Sequence, residues 1–534
     1  MFSTIRSRRS LVAGILIASG AASAHAAVDV IFSRAPQSPT SLAPGAVDEN
    51  GNPSGARFLS MLDFWLSPDG TRFLMRGSTD PAGTTDNYVL LGSGTTGSIV
   101  LQESRPFPGA IDAEVVDFGS SLMGYPFNEH NQWAYSIRAR GGSNTTFNKI
   151  LRFDAMGNGE LRFQGGNTPA GGSPYTGLID VVANPSGDET VGNSTSNIHL
   201  LNDGRIGWQD NTVLNIHSSR RPVTAYDAVK YRQVNVDPVM NIDATQTFNM
   251  SNIASTGTLS VFLTSPDGSV AVLRGNLDTD GNGSTIPAGD PVVVVVNDQV
   301  RIQVGVLIPG STVTPTGISG TSVAANSDWY ARGTDAAGAW ATRNGTVIAR
   351  TGDSVGADAW GSATFFTIAG NSNGSVLIVG KTNNSDPAID DVVAVDGQVV
   401  LREGDPVSVD LDGDGSPDTA FVGRGNNTLS AFLANNSAGL APDGTVYILA
   451  NLRDAGGADL APSGIPYALL RITPGGTPCL ADFNMDGNVD PDDLGDYINC
   501  YFGDPPCGQA DFNNDGNVDP DDLGDFINTY FAGC

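Results

Sequence analysis

The sequence predicts a mainly β body followed by a small helical module at the C-terminus, and three observations predict it. Gly 66 and Pro 31 together approach a fifth of the 534 residues while only 16% are charged, a turn-rich composition that argues against long helices and coiled coils. A polar turn followed by a short apolar strand recurs seven times between residues 67 and 450. The last 56 residues contain one 22-residue segment twice.

Charge and the N-terminus set the compartment. With 28 basic and 57 acidic side chains the net charge is −29 and the pI about 4.2, which makes nucleic acid a poor partner. Arg6, Arg8 and Arg9 precede an apolar run from Leu11 to Ala22 and then Ala24-His25-Ala26, the order of a secretory signal peptide. Cleavage is expected after Ala26, because the run is shorter than the roughly 20 apolar residues a membrane span needs. Even Val292–Val296 is only five apolar residues long, so no transmembrane segment is expected in the mature chain. The protein should be secreted or held at the cell surface.

The body is expected over residues 27–475. Its turns are Ser67-Pro68-Asp69-Gly70, Asn131-Gln132, Asn202-Asp203-Gly204, Ser265-Pro266-Asp267-Gly268, Ser327-Asp328, Asn373-Gly374 and Pro442-Asp443-Gly444, spaced 46 to 71 residues apart. A second turn-plus-strand signal follows four of them, from Gly157, Asn297, Asn344 and Asp396. Two hairpin signals per unit are what a four-stranded propeller blade needs. The expected fold is therefore a β-propeller of about seven blades, with tandem β-sandwiches as the alternative. The SPDG turns resemble those of TolB and WD40-like propellers, a likeness limited to short turns.

The duplicated segment carries the most specific chemistry. Ala481–Phe502 and Ala510–Phe531 agree at 19 of 22 positions. Each opens D-x-N-x-D-G-x-V-D-x-x-D, which puts oxygen ligands at loop positions 1, 3, 5, 9 and 12 and a glycine at 6. Ca²⁺ takes six to eight oxygens at about 2.4 Å, and a tight loop can supply them. The expected ligands are Asp482, Asn484, Asp486, the Asn488 carbonyl, Asp490 and Asp493, then Asp511, Asn513, Asp515, the Asn517 carbonyl, Asp519 and Asp522. Val489 and Val518 at position 8 should pair the loops through a short β contact. Leu494, Tyr497, Ile498, Tyr501 and Phe502, and their counterparts Leu523, Phe526, Ile527, Tyr530 and Phe531, have helical spacing and form one apolar face.

These loop-helix units resemble type I dockerin repeats, and the Gly533-Cys534 ending is similar to a dockerin variant of exported planctomycete proteins. The resemblance covers residues 479–534, after a linker at 476–478, and implies calcium-dependent docking to a cohesin-like or other envelope protein. Loop positions 10 and 11, which usually set dockerin partner choice, are Pro491-Asp492 and Pro520-Asp521, and the segment contains no Lys or Arg. All four cysteines, Cys479, Cys500, Cys507 and Cys534, lie in this segment. In an exported chain they read as disulfides. Three pairings are open, among them Cys479 with Cys534 and Cys500 with Cys507. A zinc site is the competing reading, but the segment has neither CxxC pairs nor histidine.

Within the body, Asp410, Asp412, Asp414 and Asp418 match calcium-loop positions 1, 3, 5 and 9, with Phe421 at position 12. Asn276, Asp278 and Asp280 form a weaker version that reads as an acidic surface loop. Gly370-Asn371-Ser372-Asn373-Gly374 matches the G-x-S-x-G nucleophile pattern, yet a strand rather than a helix should follow, so it reads as a turn. His130, His199 and His217 have no ligand spacing, and no catalytic residue is assigned. Three functions are expected to compete: a tethered binding or scaffold protein with a glycan or protein ligand, a carboxylate-based glycoside hydrolase or lyase recruited by its tail, and a structural envelope protein whose tail is a stabilising cap.

Overall fold

Local turn chemistry sets out the strands of the body. In a computed structural model, the described residues are 27–35, 37–48, 50–80, 86–110, 113–118, 126–142, 147–164, 195–204, 206–210, 222–226, 239–243, 246–249, 262–276, 291–297, 299–424, 430–433, 437–460, 467–473, 483, 491–503, 510, 512 and 517–532. The signal-peptide region lies outside them. The chain divides into two compact units, Val28–Pro474 and one containing Gly475–Cys534.

Each of the seven turns joins the first and second strands of an antiparallel sheet. Sheet I comprises Phe58–Leu66, Phe73–Thr79, Asn87–Ser93 and Thr96–Gln102. Sheet II comprises Val115–Asp117, Trp133–Arg140, Phe147–Phe153 and Gly159–Gln164, and sheet III comprises Thr195–Leu200, Ile206–Asp210 and Pro222–Tyr226. Sheet IV runs Phe262–Thr264, Ala271–Asn276, Val292–Val296 and Gln299–Gln303, and sheet V runs Gly317–Val323, Trp329–Asp335, Gly338–Arg343 and Thr346–Arg350. Sheet VI holds Thr367–Gly370, Val376–Lys381, Asp391–Val395 and Gln398–Arg402. Sheet VII holds Ala438–Leu440, Val446–Ala450 and Ala468–Thr473, and its outer strand is Ala27–Ser33 from the other end of the body. Arg471 clasps Asp29 at 2.5 Å across that closure. Closing the last sheet with the first strand leaves no open end to the series, which is how a propeller protects its edges.

The turns touch in chain order and return to their start. Asn131 Nδ2 donates to Asp69 Oδ2 at 2.6 Å, and Asn128 Nδ2 donates to the Leu201 carbonyl at 3.0 Å. The Asn202 N–H donates to the Pro266 carbonyl at 2.7 Å, and Ser327 Oγ donates to Asp267 at 3.0 Å. Arg343, held by Asp328 of the next turn, donates to the Gly374 carbonyl at 2.8 Å, and Asn371 donates to the Ala441 carbonyl at 2.8 Å. Ala441 then packs on Gly70, where an added Cβ would lie 2.4 Å away. The described body is thus a ring of antiparallel sheets, a β-propeller architecture rather than tandem sandwiches.

A second rule repeats within the sheets. Asn297, Asn344 and Asp396 sit at positive φ in the turn before the fourth strand, a conformation Asn and Asp tolerate. Their side-chain oxygens accept the N–H of Ala271, Trp329 and Val376, the first residues of the second strands, at 2.9, 3.0 and 2.8 Å. One side chain therefore fixes both a hairpin turn and the start of the strand beside it. Large aromatics fill the core between sheets, with Trp133 stacked on Phe153 at 3.7 Å and Phe64 on Tyr447 at 5.8 Å.

The turn aspartates make ring closure acid-sensitive. Burial raises the Asp69 carboxyl, but donors from Ser67, Thr71 and Asn131 outweigh it and hold it below the ordinary 3.8. Asp267 and Asp328 are lowered in the same way, the latter by Arg343, Asn344 and Asn326. A depressed folded pKa contributes stability above the unfolded value that is lost as pH falls through the folded one. Denaturant midpoints of the body are therefore expected to hold from neutral pH down to about 4 and to fall below it. A midpoint flat to pH 2 would contradict this role.

Candidate metal centres

The second C-terminal loop shows how its closing carboxylate is held. Asp519 precedes the helix Pro520–Ala532 and its Oδ1 accepts the Asp521 N–H at 2.9 Å, while Pro520 begins the helix without needing a partner for a missing N–H. Asp522, wholly buried in the first turn, accepts the Phe512 N–H on Oδ1 and the Asp519 N–H on Oδ2, both at 2.8 Å. One carboxylate thereby gathers loop positions 2 and 9 around itself. Asp493, its counterpart in the first helix Pro491–Tyr501, is equally buried. Asn517 is exposed. Asp482, Asn484, Asp486, Asn488, Asp490, Asp511, Asn513 and Asp515 lie outside the described residues. The described donors are all oxygen, with Asp493 and Asp522 wholly buried, and fit a hard cation.

The core of this module differs from the helical stripe alone. Tyr497 and Phe526 stack at 3.9 Å, with Phe483 set edge-on against Tyr497 and Phe512 edge-on against both. Phe483 and Phe512 occupy position 2 of each loop, so the loops supply half the core. Tyr497 Oη donates to the Ala510 carbonyl at 3.1 Å. Phe502 and Phe531, predicted on the apolar face, are instead 70% and 78% exposed at equivalent positions of the two copies. Val518 is also exposed and belongs to no strand, and its expected partner Val489 lies outside the described residues. Cys500 is disulfide-bonded, which removes its thiolate from any zinc reading; Cys479, Cys507 and Cys534 lie outside the described residues.

In the body, the loop between the strands Pro406–Val409 and Asp418–Val422 brings Asp410, Asp412 and Asp418 together, with carboxylate oxygens within 4.8 Å of one another. Asp414 is not in that group and its Oδ1 accepts the Ser416 N–H at 2.7 Å. Asp410 accepts the N–H groups of Gly413 and Gly415, both at positive φ, so the loop wraps its first ligand. Phe421, at position 12, lies in a strand opposite Pro406 and supplies no carboxylate. Of the weaker acidic loop, Asp278 and Asp280 lie outside the described residues.

The sequence-based candidates for catalysis separate. Gly370–Gly374 is a hairpin turn between the strands Thr367–Gly370 and Val376–Lys381. Asn371 Oδ1 accepts the N–H groups of Asn373 and Ser375, and Ser372 is exposed. No helix follows, so there is no nucleophile elbow there. His130 is exposed in a turn, His199 is buried in sheet III, and His217 lies outside the described residues. A third acidic group, Asp390, Asp391 and Glu403, was not singled out by sequence. Its members come from different strand ends, and the only local trace is the Glu403-Gly404-Asp405 turn.

No protein family profile and no curated protein matches the chain. Solved structures with partial likeness include a prolyl endopeptidase at 9% identity, covering 77% of this chain and 50% of that one, TM-score 0.33. A Trypanosoma rangeli sialidase matches at 9% identity, 84% and 59% coverage, TM-score 0.30, and a Pseudomonas aeruginosa periplasmic gluconolactonase at 13%, 67% and 87%, TM-score 0.27. The chain spans about half the length of the first of these. Likenesses at such TM-scores carry no argument about its activity. Among the described residues, no helix is long and apolar enough to cross a membrane.

Proposed function

We propose that this is an exported calcium-binding protein in which a dockerin-like C-terminal module tethers a seven-bladed propeller body, itself a binding or scaffold unit, to an envelope partner. The observation that carries this reading is the buried Asp522 carboxylate, which draws two loop positions toward one point in a loop whose ligand pattern is duplicated. The exposed Phe502 and Phe531 support docking, since each leaves apolar area in water that a partner would cover. The seven linked turns support the blade number. The loop at Asp410–Asp418 is a further calcium position that would stiffen the connection between sheets VI and VII.

The test uses the full chain, immobilised and exposed to envelope extract with Ca²⁺ or with chelator. One partner is expected to be captured only with Ca²⁺. The double variant Phe502→Asp, Phe531→Asp should lose that partner while retaining its bound calcium. If the unmodified chain binds calcium yet captures nothing, the tail is a stabilising cap and the tether reading fails.

A further inference from the structure

We propose that Asp390, Asp391 and Glu403 form a buried binding site for a hard divalent cation of calcium size, separate from every loop with a calcium-like sequence. Asp391 starts the third strand of sheet VI, Asp390 precedes it, and Glu403 follows the fourth strand. Pairing of those strands brings the three together, and the Glu403 N–H donates to the Asp391 carbonyl at 2.8 Å. Each carboxylate contributes an oxygen within 4.8 Å of the others. Three oxygens evenly spread at roughly 2.4 Å around one Ca²⁺ lie about 4.2 Å apart, so a small closing of these side chains lets one ion touch all three.

Glu403 is the observation that points to a ligand. It is 0% exposed, and neither carboxylate oxygen has a hydrogen-bond partner. The Arg424 backbone N–H favours its charged form but does not meet hydrogen-bond geometry. A buried carboxylate with both oxygens bare is costly, and an unsatisfied group of this kind calls for an ion, a water or a proton. A proton shared with an aspartate would need oxygens about 2.5–3.0 Å apart, and neither Glu403 oxygen makes such a bond.

The charges lead to the same place. Lys381 Nζ lies 2.5 Å from Asp390 Oδ1 and 3.0 Å from Asp391 Oδ1, and the Ala431 N–H donates to Asp391 Oδ2 at 2.6 Å. Three carboxylates against one ammonium leave two negative charges inside the fold, the deficit a divalent cation fills.

The residues packed on Glu403 also suit the site. Gly423, at φ +131, packs on Glu403, and an added Cβ there would lie 2.7 Å from Oε1. Gly423 is tied by its N–H to the Asn451 carbonyl at 2.9 Å. Asn451 Oδ1 is buried without a partner as well, a further oxygen next to the residues that enclose the glutamate. The oxygen-only donor set selects Ca²⁺ over softer metals.

The test is metal content of the full-length chain, measured by elemental analysis after equilibration with Ca²⁺ and gel filtration, for the unmodified protein and Glu403→Gln. The variant leaves the C-terminal loops and the Asp410 loop intact, so their occupancy does not enter the difference. One fewer calcium per chain in E403Q is expected. Equal content would overturn the site. If E403Q does not fold, the unmodified protein decides: an anomalous-scattering peak between Asp390, Asp391 and Glu403 in Ca²⁺-grown crystals supports the site. No peak there overturns it.

Discussion

Replacing Asp522 by alanine is expected to remove one bound calcium per chain and to open the second C-terminal loop. The carboxylate is fully buried and accepts the N–H groups of Phe512 and Asp519, and hydrogen bonds to a charged group contribute about 1.5–3 kcal/mol each. Their joint loss is on the order of 3 kcal/mol, before any contribution from the metal. A module of this size has little else to hold it, since small domains depend on metal and disulfide staples. Phe512 donates one of these bonds and packs on Tyr497 and Phe526, so the opening should spread into the aromatic core. The measurement is hydrogen exchange at residues 512–519 together with calcium content. Asp522→Asn keeps one acceptor oxygen and should fall between the two. Unchanged exchange and unchanged calcium in the alanine variant would sink this role.

The fold was legible where structure depends on chemistry within a few residues. Asp69 and Asp267 each bind their own turn, accepting from Ser67 and Thr71 and from Ser265 and Ser269, which is why S-P-D-G announces a hairpin without help from the rest of the chain. Asn344-Gly345 and Asp396-Gly397 do the same for the turn to the fourth strand, with positive φ at both positions. What those residues could not reveal is that the turns also bind one another from sheet to sheet, through contacts 31 to 73 residues apart in sequence. The outer strand of sheet VII was equally hidden, because nothing in Ala27–Ser33 says that its partner is Ala468–Thr473.

The candidate sites divide along the same line. Calcium-like loops are contiguous, so Asp410, Asp412 and Asp418 were readable as a cluster, although Asp414 turns to its own loop backbone. Asp390, Asp391 and Glu403 meet only through strand pairing and have no spacing rule. In the C-terminal module, helical periodicity correctly put Tyr497 and Phe526 inside but also put Phe502 and Phe531 there. The loop residues Phe483 and Phe512 cover the stacked pair instead. An aromatic at position 2 of both copies was the available signal.

The largest effect in the body is expected from Gly77→Ala. Gly77 faces Met61 across the first two strands of sheet I, next to an irregularity in their register. A Cβ there would lie 1.9 Å from the Ser60 carbonyl oxygen and 2.7 Å from Tyr88 Oη, which donates to that same oxygen at 3.1 Å. Backbone cannot move aside as the end of a flexible side chain can, so the strands must part or the tyrosine must leave its bond. Overpacking of this kind costs about 1–3 kcal/mol, and here a hydrogen bond of about 1 kcal/mol is lost with it. Gly333 repeats the arrangement in sheet V, with the Gly317 carbonyl at 2.0 Å and Trp340 at 2.6 Å. Gly94→Ala is the control: it has φ +57 and open space around it, so it should cost only the roughly 1–2 kcal/mol of a left-handed backbone. Urea unfolding followed by tryptophan fluorescence should place Gly77→Ala and Gly333→Ala well below Gly94→Ala. Equal midpoints would mean that the strand pairs relax around the methyl group and that the repeated glycine has another cause.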